Sequence, residues 1–141
     1  MLSVIRNPKA IHYVFFPSQN DPSNDPLLIW FAGAPGCSAL LACFHENGPF
    51  VFEAGKVTFT LNDHSWNKKA SILYLELPAG TGFSDTPVEE RIDDESFTLD
   101  AINSVRAFFG RFPYYKKNDL YLTGHGYGAV HAAYLAKRMI D

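Results

Sequence analysis

Leu120-Tyr121-Leu122-Thr123-Gly124-His125-Gly126-Tyr127-Gly128 decides how this chain folds. An apolar strand-like run enters a turn with glycine at every second position, and an amphipathic stretch, Tyr127 to Ile140, follows it. Strand, Gly-x-x-x-Gly and helix make the sharp elbow that lifts its central residue above the end of a sheet. In a catalytic elbow that residue is a serine nucleophile; here it is Gly126. The motif argues for a fold and against an acyl-enzyme reaction, because no covalent intermediate forms without the hydroxyl.

Working outward, strands and helices alternate. Ile11 to Phe16 is β-branched and aromatic and reads as a strand, as does Leu27 to Phe31, which runs into Gly33-Ala34-Pro35-Gly36. Ser38 is expected to cap a short apolar helix through Phe44, carrying both Cys37 and Cys43. Val57 to Leu61 reads as an edge strand, and Ile72 to Leu77 as a central strand covered on both faces, stopped by Pro78. Asp93 to Phe112 places Phe97, Ile102, Val105, Phe108, Phe109 and Phe112 at helical spacings, with acids at its front and Arg111 at its end. Strand and helix in alternation predict an α/β fold with a mostly parallel central sheet flanked by helices. No repeat, low-complexity tract or linker divides it, so residues 1–141 are expected to form a single domain.

Composition narrows the function. Twelve Lys and Arg against fifteen Asp and Glu give a net charge of −3, and no basic run interleaves with aromatics, so a nucleic-acid surface is set aside. No apolar run approaches the roughly 18 residues of a membrane-spanning helix. Two cysteines six positions apart suggest buried thiols and no metal site, and no motif calls for a cofactor. The first nine residues lack the basic start and apolar core of a secretory signal.

Several segments taken together resemble the serine carboxypeptidase family of α/β-hydrolases. They are Pro26 to Trp30 leading into Gly33-Ala34-Pro35-Gly36-Cys37-Ser38, then Glu46-Asn47-Gly48-Pro49-Phe50, Ser65-Trp66-Asn67, Leu73 to Pro78, Gly80-Thr81-Gly82-Phe83-Ser84, and Thr123-Gly124 with the elbow. Their order and spacing match that family's N-terminal half across nearly the whole chain. The resemblance implies a partial α/β-hydrolase fold that stops after the elbow helix.

The resemblance also implies which chemical parts are changed. The family's loop reads Asn-Gly-Gly-Pro-Gly-Cys-Ser, whose asparagine helps hold a substrate carboxylate and whose second glycine gives an N–H to the oxyanion; these positions are Ala32 and Ala34 here. At the elbow the family has Gly-Glu-Ser-Tyr-Ala-Gly, so the nucleophile corresponds to Gly126, the carboxylate-recognition glutamate to His125, and the other oxyanion donor to Tyr127. Glu46 matches a carboxylate-recognition position whose partners have changed. Ala32, Glu46 and His125 are therefore vestigial binding positions, Ala34 and Tyr127 vestigial oxyanion positions, and no catalytic residue is expected. Ser38, Ser84, Cys37 and His125 match no substitute nucleophile: Ser38 is expected to cap a helix, Ser84 to sit in a turn, and His125 to lie on the rim. The partner of the family's disulfide cysteine at Cys37 would lie beyond Asp141.

The family's catalytic aspartate and histidine come well after the elbow, where this sequence offers only His131 and Asp141. A sheet cut there leaves the elbow strand with an open edge, so a protein partner is expected, including a second chain with the C-terminal half of the fold. Phe15, Phe16, Trp30, Phe31, Phe108 and Phe109 are the expected anchors of that interface. The reading is a catalytically inactive accessory subunit of a larger assembly. Its alternatives are a hydrolase completed by a second chain and a module that binds peptide C-termini through Glu46. An intracellular or organellar setting such as a mitochondrial complex is expected, against the secretory or lysosomal setting that the resemblance implies.

Overall fold

The computed structural model describes residues 2–3, 9–52, 55, 57–87 and 91–141. Its strands are β1 (Leu2–Ser3), β2 (Ala10–Ile11), β3 (Tyr13–Phe16), β4 (Leu27–Phe31), β5 (Phe50–Phe52), β6 (Phe59–Leu61), β7 (Ser71–Leu75) and β8 (Leu120–Gly124). Its helices are α1 (Leu40–His45), α2 (Asp94–Arg111) and α3 (Tyr127–Ile140). The central sheet has the order β3-β7-β4-β8. β7, β4 and β8 run parallel and β3 runs antiparallel to β7. This is the mostly parallel α/β arrangement that the alternating pattern predicts.

Two apolar layers cover the sheet because successive side chains of a buried strand point to opposite faces. Ile29, Phe31, Leu73 and Leu75 face α2 and α3, joining Phe97, Val105, Phe108 and Leu135. Trp30, Ile72 and Tyr74 face α1, against Ala39, Ala42 and Cys43. α2 begins where a reciprocal capping box satisfies its first turn: the Asp93 carboxylate accepts the Ser96 N–H at 2.9 Å and the Ser96 hydroxyl accepts the Asp93 N–H at 3.0 Å.

The structure corrects five local expectations. The run Ile11 to Phe16 is two strands, because Ile11 pairs with Leu2 while the His12 N–H is taken by the Ser84 hydroxyl at 2.9 Å, and the main-sheet ladder starts only at Tyr13. Val57 to Leu61 is no edge of the main sheet: Val57 is a bend, and Phe59–Leu61 pairs with Phe50–Phe52 as a separate antiparallel ribbon. The central strand closes at Leu75, since the Glu76 N–H turns to His12 C=O and the Leu77 N–H to Leu75 C=O. Cys37 lies before α1 rather than on it; Cys43 is fully buried, and burial pushes its thiol up to about 12. Finally, most of the proposed interface anchors are spent inside the chain. Phe31 and Phe108 are buried, and Phe15 packs edge-on to Phe108 and Tyr115.

Candidate functional site

The elbow is built by close backbone approach. The Gly128 N–H donates to His125 C=O at 3.0 Å and the Ala129 N–H to Gly126 C=O at 3.1 Å, turning the chain from β8 into α3. A Cβ on Gly128 would lie 2.3 Å from the Phe31 carbonyl oxygen, so only glycine lets α3 seat against the end of β4. Gly126 has φ 56° and ψ −126°, a backbone state that costs a residue with a Cβ about 1–3 kcal/mol. Space is not the restriction, because a Cβ there would meet only the Gly33 Cα at 3.6 Å.

Beside this turn lies a cleft of about 210 Å³. Ala32 and Ala34 border it from the loop after β4, Ser38 and Glu46 from the two ends of α1, and His125 and Gly126 from the elbow. Five of the six positions singled out in the sequence thus share one cavity. The side chain of the sixth, Tyr127, turns away: its hydroxyl donates to both carboxylate oxygens of Asp94 at 3.0 Å, and its ring meets His131 edge-on. That hydrogen bond, more than partial burial, holds the Tyr127 phenol above its ordinary pKa. Tyr127 and His131 line a second cavity of about 270 Å³ with Pro35, Asp93 and Phe97.

Ser38 stands one residue before the N-cap of α1 and still serves its first turn. The N-cap is Ala39, which makes no side-chain bond; the Ser38 oxygen accepts the Leu40 N–H at 3.2 Å and its hydroxyl donates to Glu76. Ser84 is buried, donates to the Glu76 carbonyl at 2.6 Å and accepts from the His12 backbone, which leaves it no free proton to give a ligand.

Three groups escaped the sequence reading. Glu76 is fully buried, and its carboxyl group gathers the Ser38 hydroxyl, the Phe83 N–H at 2.9 Å and His12 Nδ1 at 2.9 Å, so one side chain ties the Ser38 loop of the cleft to two other segments. A lone acid closing an otherwise apolar strand was the available signal. Trp30 lines the cleft with its indole Nε1–H buried and without an acceptor, an uncompensated cost of about 1–3 kcal/mol. Asp94 escaped as well; it stands 3.7 Å from Nε2 of the buried His131.

The arrangement brings the polar side chains of Ser38, Glu46 and His125 to one small cleft. What it lacks at the elbow is a hydroxyl. No group of three or more His, Cys, Asp and Glu among the described residues could hold a metal ion, and no described helix is long and apolar enough to cross a membrane.

Residues 3–141 match the family described as serine carboxypeptidase. The chain is 40% identical over 129 residues to the lysosomal protective protein of Mus musculus, covering 91% of this chain and 27% of that protein. It is also 40% identical over 129 residues to serine carboxypeptidase-like 47 of Arabidopsis thaliana, covering 90% of this chain and 25% of that one. In three dimensions it resembles Kex1(delta)p, a prohormone-processing carboxypeptidase from Saccharomyces cerevisiae, with a TM-score of 0.81, 27% identity and coverage of 96% of this chain and 30% of that structure. A ferulic acid-bound Est1E from Butyrivibrio proteoclasticus, at 18% identity and TM-score 0.61, shares the fold alone. The chain spans about a quarter of the length of the relatives it matches. Matched by the family over residues 3–141 and 40% identical to its relatives over 129 residues, the chain belongs to the serine carboxypeptidase family.

Proposed function

We propose that this chain is a catalytically silent member of its family that acts through its surfaces, as a structural or accessory subunit of a larger assembly. The observation that carries the reading is Gly126, a glycine on the elbow backbone at the position that the resemblance gives to the nucleophile. Removing a triad nucleophile leaves only the residual acceleration given by binding and the oxyanion hole. Binding is weakened too, because alanine at 32 and histidine at 125 stand where the family resemblance implies an amide and a carboxylate. The accessory role rests on β8, which pairs with β4 on one side and, among the described residues, with nothing on the other. An uncharged strand edge that no described strand pairs with is a template for a further strand.

Incubation with a fluorophosphonate probe and a blocked dipeptide tests the silent site. The expected result is neither labelling nor turnover; a covalent adduct on this chain would overturn the reading in favour of a hydrolase completed by a second polypeptide. A second reading, capture of a peptide C-terminus without turnover, draws on the acceptor-free Nε1–H of Trp30 and on Glu46 in the same cleft. Saturable binding of a short peptide that is lost in its C-terminal amide and in Glu46→Ala would favour it.

A further inference from the structure

Three stretches distant in sequence meet at Glu76, which is 0% exposed just past the end of β7. Its Oε1 receives the Ser38 hydroxyl from the loop before α1, and its Oε2 receives the Phe83 N–H at 2.9 Å. Both partners are donors, so both fill acceptor positions of the carboxyl group. His12 is the third partner, with Nδ1 2.9 Å from Oε2, and an imidazole nitrogen either gives or takes a proton there. The His12 side chain is 28% exposed, its ring lies 5.4 Å from that of the exposed Phe83, and no described residue bonds its Nε2. Solvent therefore reaches an imidazole whose near nitrogen touches a fully buried acid.

Bonds that do not titrate hold this ring in place. The His12 N–H donates to the Ser84 hydroxyl oxygen at 2.9 Å, the Ser84 hydroxyl donates to the Glu76 carbonyl at 2.6 Å, and Ala10 and Asp85 exchange backbone bonds at 2.9 and 2.8 Å. The other ionisable groups on the elements packed around it are engaged elsewhere. Asp100 of α2 holds Lys9 at 2.9 Å, the Tyr74 hydroxyl of β7 donates to Asn47, Cys37 of the loop before α1 borders the cleft, and Leu2–Ser3 of β1 offers none. Among the described residues, Glu76 is the one acid within 4 Å of the imidazole. We infer that His12 and Glu76 form a proton-operated clasp, in which Glu76 is a carboxylate, the Nδ1–H donates to it, and uptake of a proton from water at Nε2 tightens the pair. The added charge turns a hydrogen bond to an anion into an ion pair, and the burial of Glu76 keeps water and salt from screening it. Ser38 and Phe83 are tied to the same two oxygens, so a firmer Glu76 holds both loops more firmly. Through Ser38, which borders the cleft beside Ala34, Glu46 and His125, the charge on the imidazole is felt at the cleft wall. The clasp operates whether or not the elbow carries out chemistry.

Amide hydrogen exchange of the intact chain at pH 7.5 and 5.5 tests the clasp, with rates corrected for the intrinsic effect of pH and referred to the amides of β4, which share any change in global stability. The Phe83 and Leu40 amides, bonded to Glu76 and to the Ser38 oxygen, should gain at least about threefold protection at the lower pH. Nitrogen NMR of the imidazole should show Nδ1 bearing a proton at both pH values and Nε2 gaining one between them. His12→Gln leaves a neutral donor facing Oε2, and Glu76→Gln leaves an acceptor without charge. Each variant, with its circular dichroism unchanged, should lose the gain in protection at pH 5.5; if one unfolds, the other decides, and if both do, the imidazole spectrum of the wild type decides. Equal protection at the two pH values overturns the clasp. So does a gain that survives in a folded variant, or an Nδ1 without its proton at pH 7.5.

Discussion

The imidazole of His131 lies flat on the ring of Phe97, centroids 3.5 Å apart and planes 12° from parallel, which joins α3 to the start of α2. Stacking removes the imidazole from water, and that desolvation pushes its pKa below the ordinary value against the opposing pull of Asp94. In the unfolded chain the group takes up a proton near pH 6.5, while the folded state resists until a lower pH. Its contribution is therefore intact above about pH 6.5 and is lost as pH falls through that value towards the depressed folded pKa. Urea midpoints at pH 7.5 and 5.5 check this: wild type should lose more stability between them than His131→Gln. Equal losses would place the sensitivity in other groups.

Glu76 offers a sharper test of the cleft's architecture. Truncating a buried carboxylate strands its donors, here the Phe83 N–H, the Ser38 hydroxyl and His12, and such losses run to about 3–5 kcal/mol. Glu76→Ala should cost at least about 3 kcal/mol, and Glu76→Gln about half as much because an amide oxygen still accepts one donor. Gly82→Ala should act like the first: its Cβ would fall 1.9 Å from the carboxylate, on a residue with φ 57°. Denaturant midpoints measure all three, and a neutral Glu76→Ala would mean that the hub holds nothing together.

Gly126→Ser puts the missing hydroxyl back where a Cβ has room. Folding should survive, at about 1–3 kcal/mol for the strained backbone. Hydrolysis of the blocked dipeptide should stay absent, because His125 borders the cleft and, among the described residues, no carboxylate hydrogen-bonds it to orient it as a base. Turnover in this variant would overturn the reading of the site as silent.

The elbow, its loop and the sheet direction were legible in the sequence because they are local: a strand period, a turn that needs glycine, and a helix period stand side by side between Leu120 and Ile140. Ala32, Ala34 and Glu46 could be placed near Gly126 only through the resemblance, since their meeting depends on β4 lying beside β8 in space. What was not legible are the contacts made by partner choice. His12 breaks the first strand because a serine 72 positions away takes its N–H, and Phe59–Leu61 leaves the main sheet because Phe50–Phe52 competes for it. Period and composition are the same for a strand in either sheet.

Gly128 carries the last prediction, because it separates fold from chemistry. Read from the sequence it is one more glycine of the elbow, where the family resemblance implies alanine. In the structure its missing Cβ would sit 2.3 Å from the Phe31 oxygen and 2.5 Å from that of Ala32, both backbone atoms held in or beside β4. Neither can yield without moving a central strand. Gly128→Ala should therefore destabilise the chain by about 1–3 kcal/mol through overpacking, a loss visible as a lowered urea midpoint with an unchanged slope. A neutral outcome would mean that α3 slides outward freely, and the close seating of the elbow on β4 would then be a preference of packing and not a requirement of this sequence.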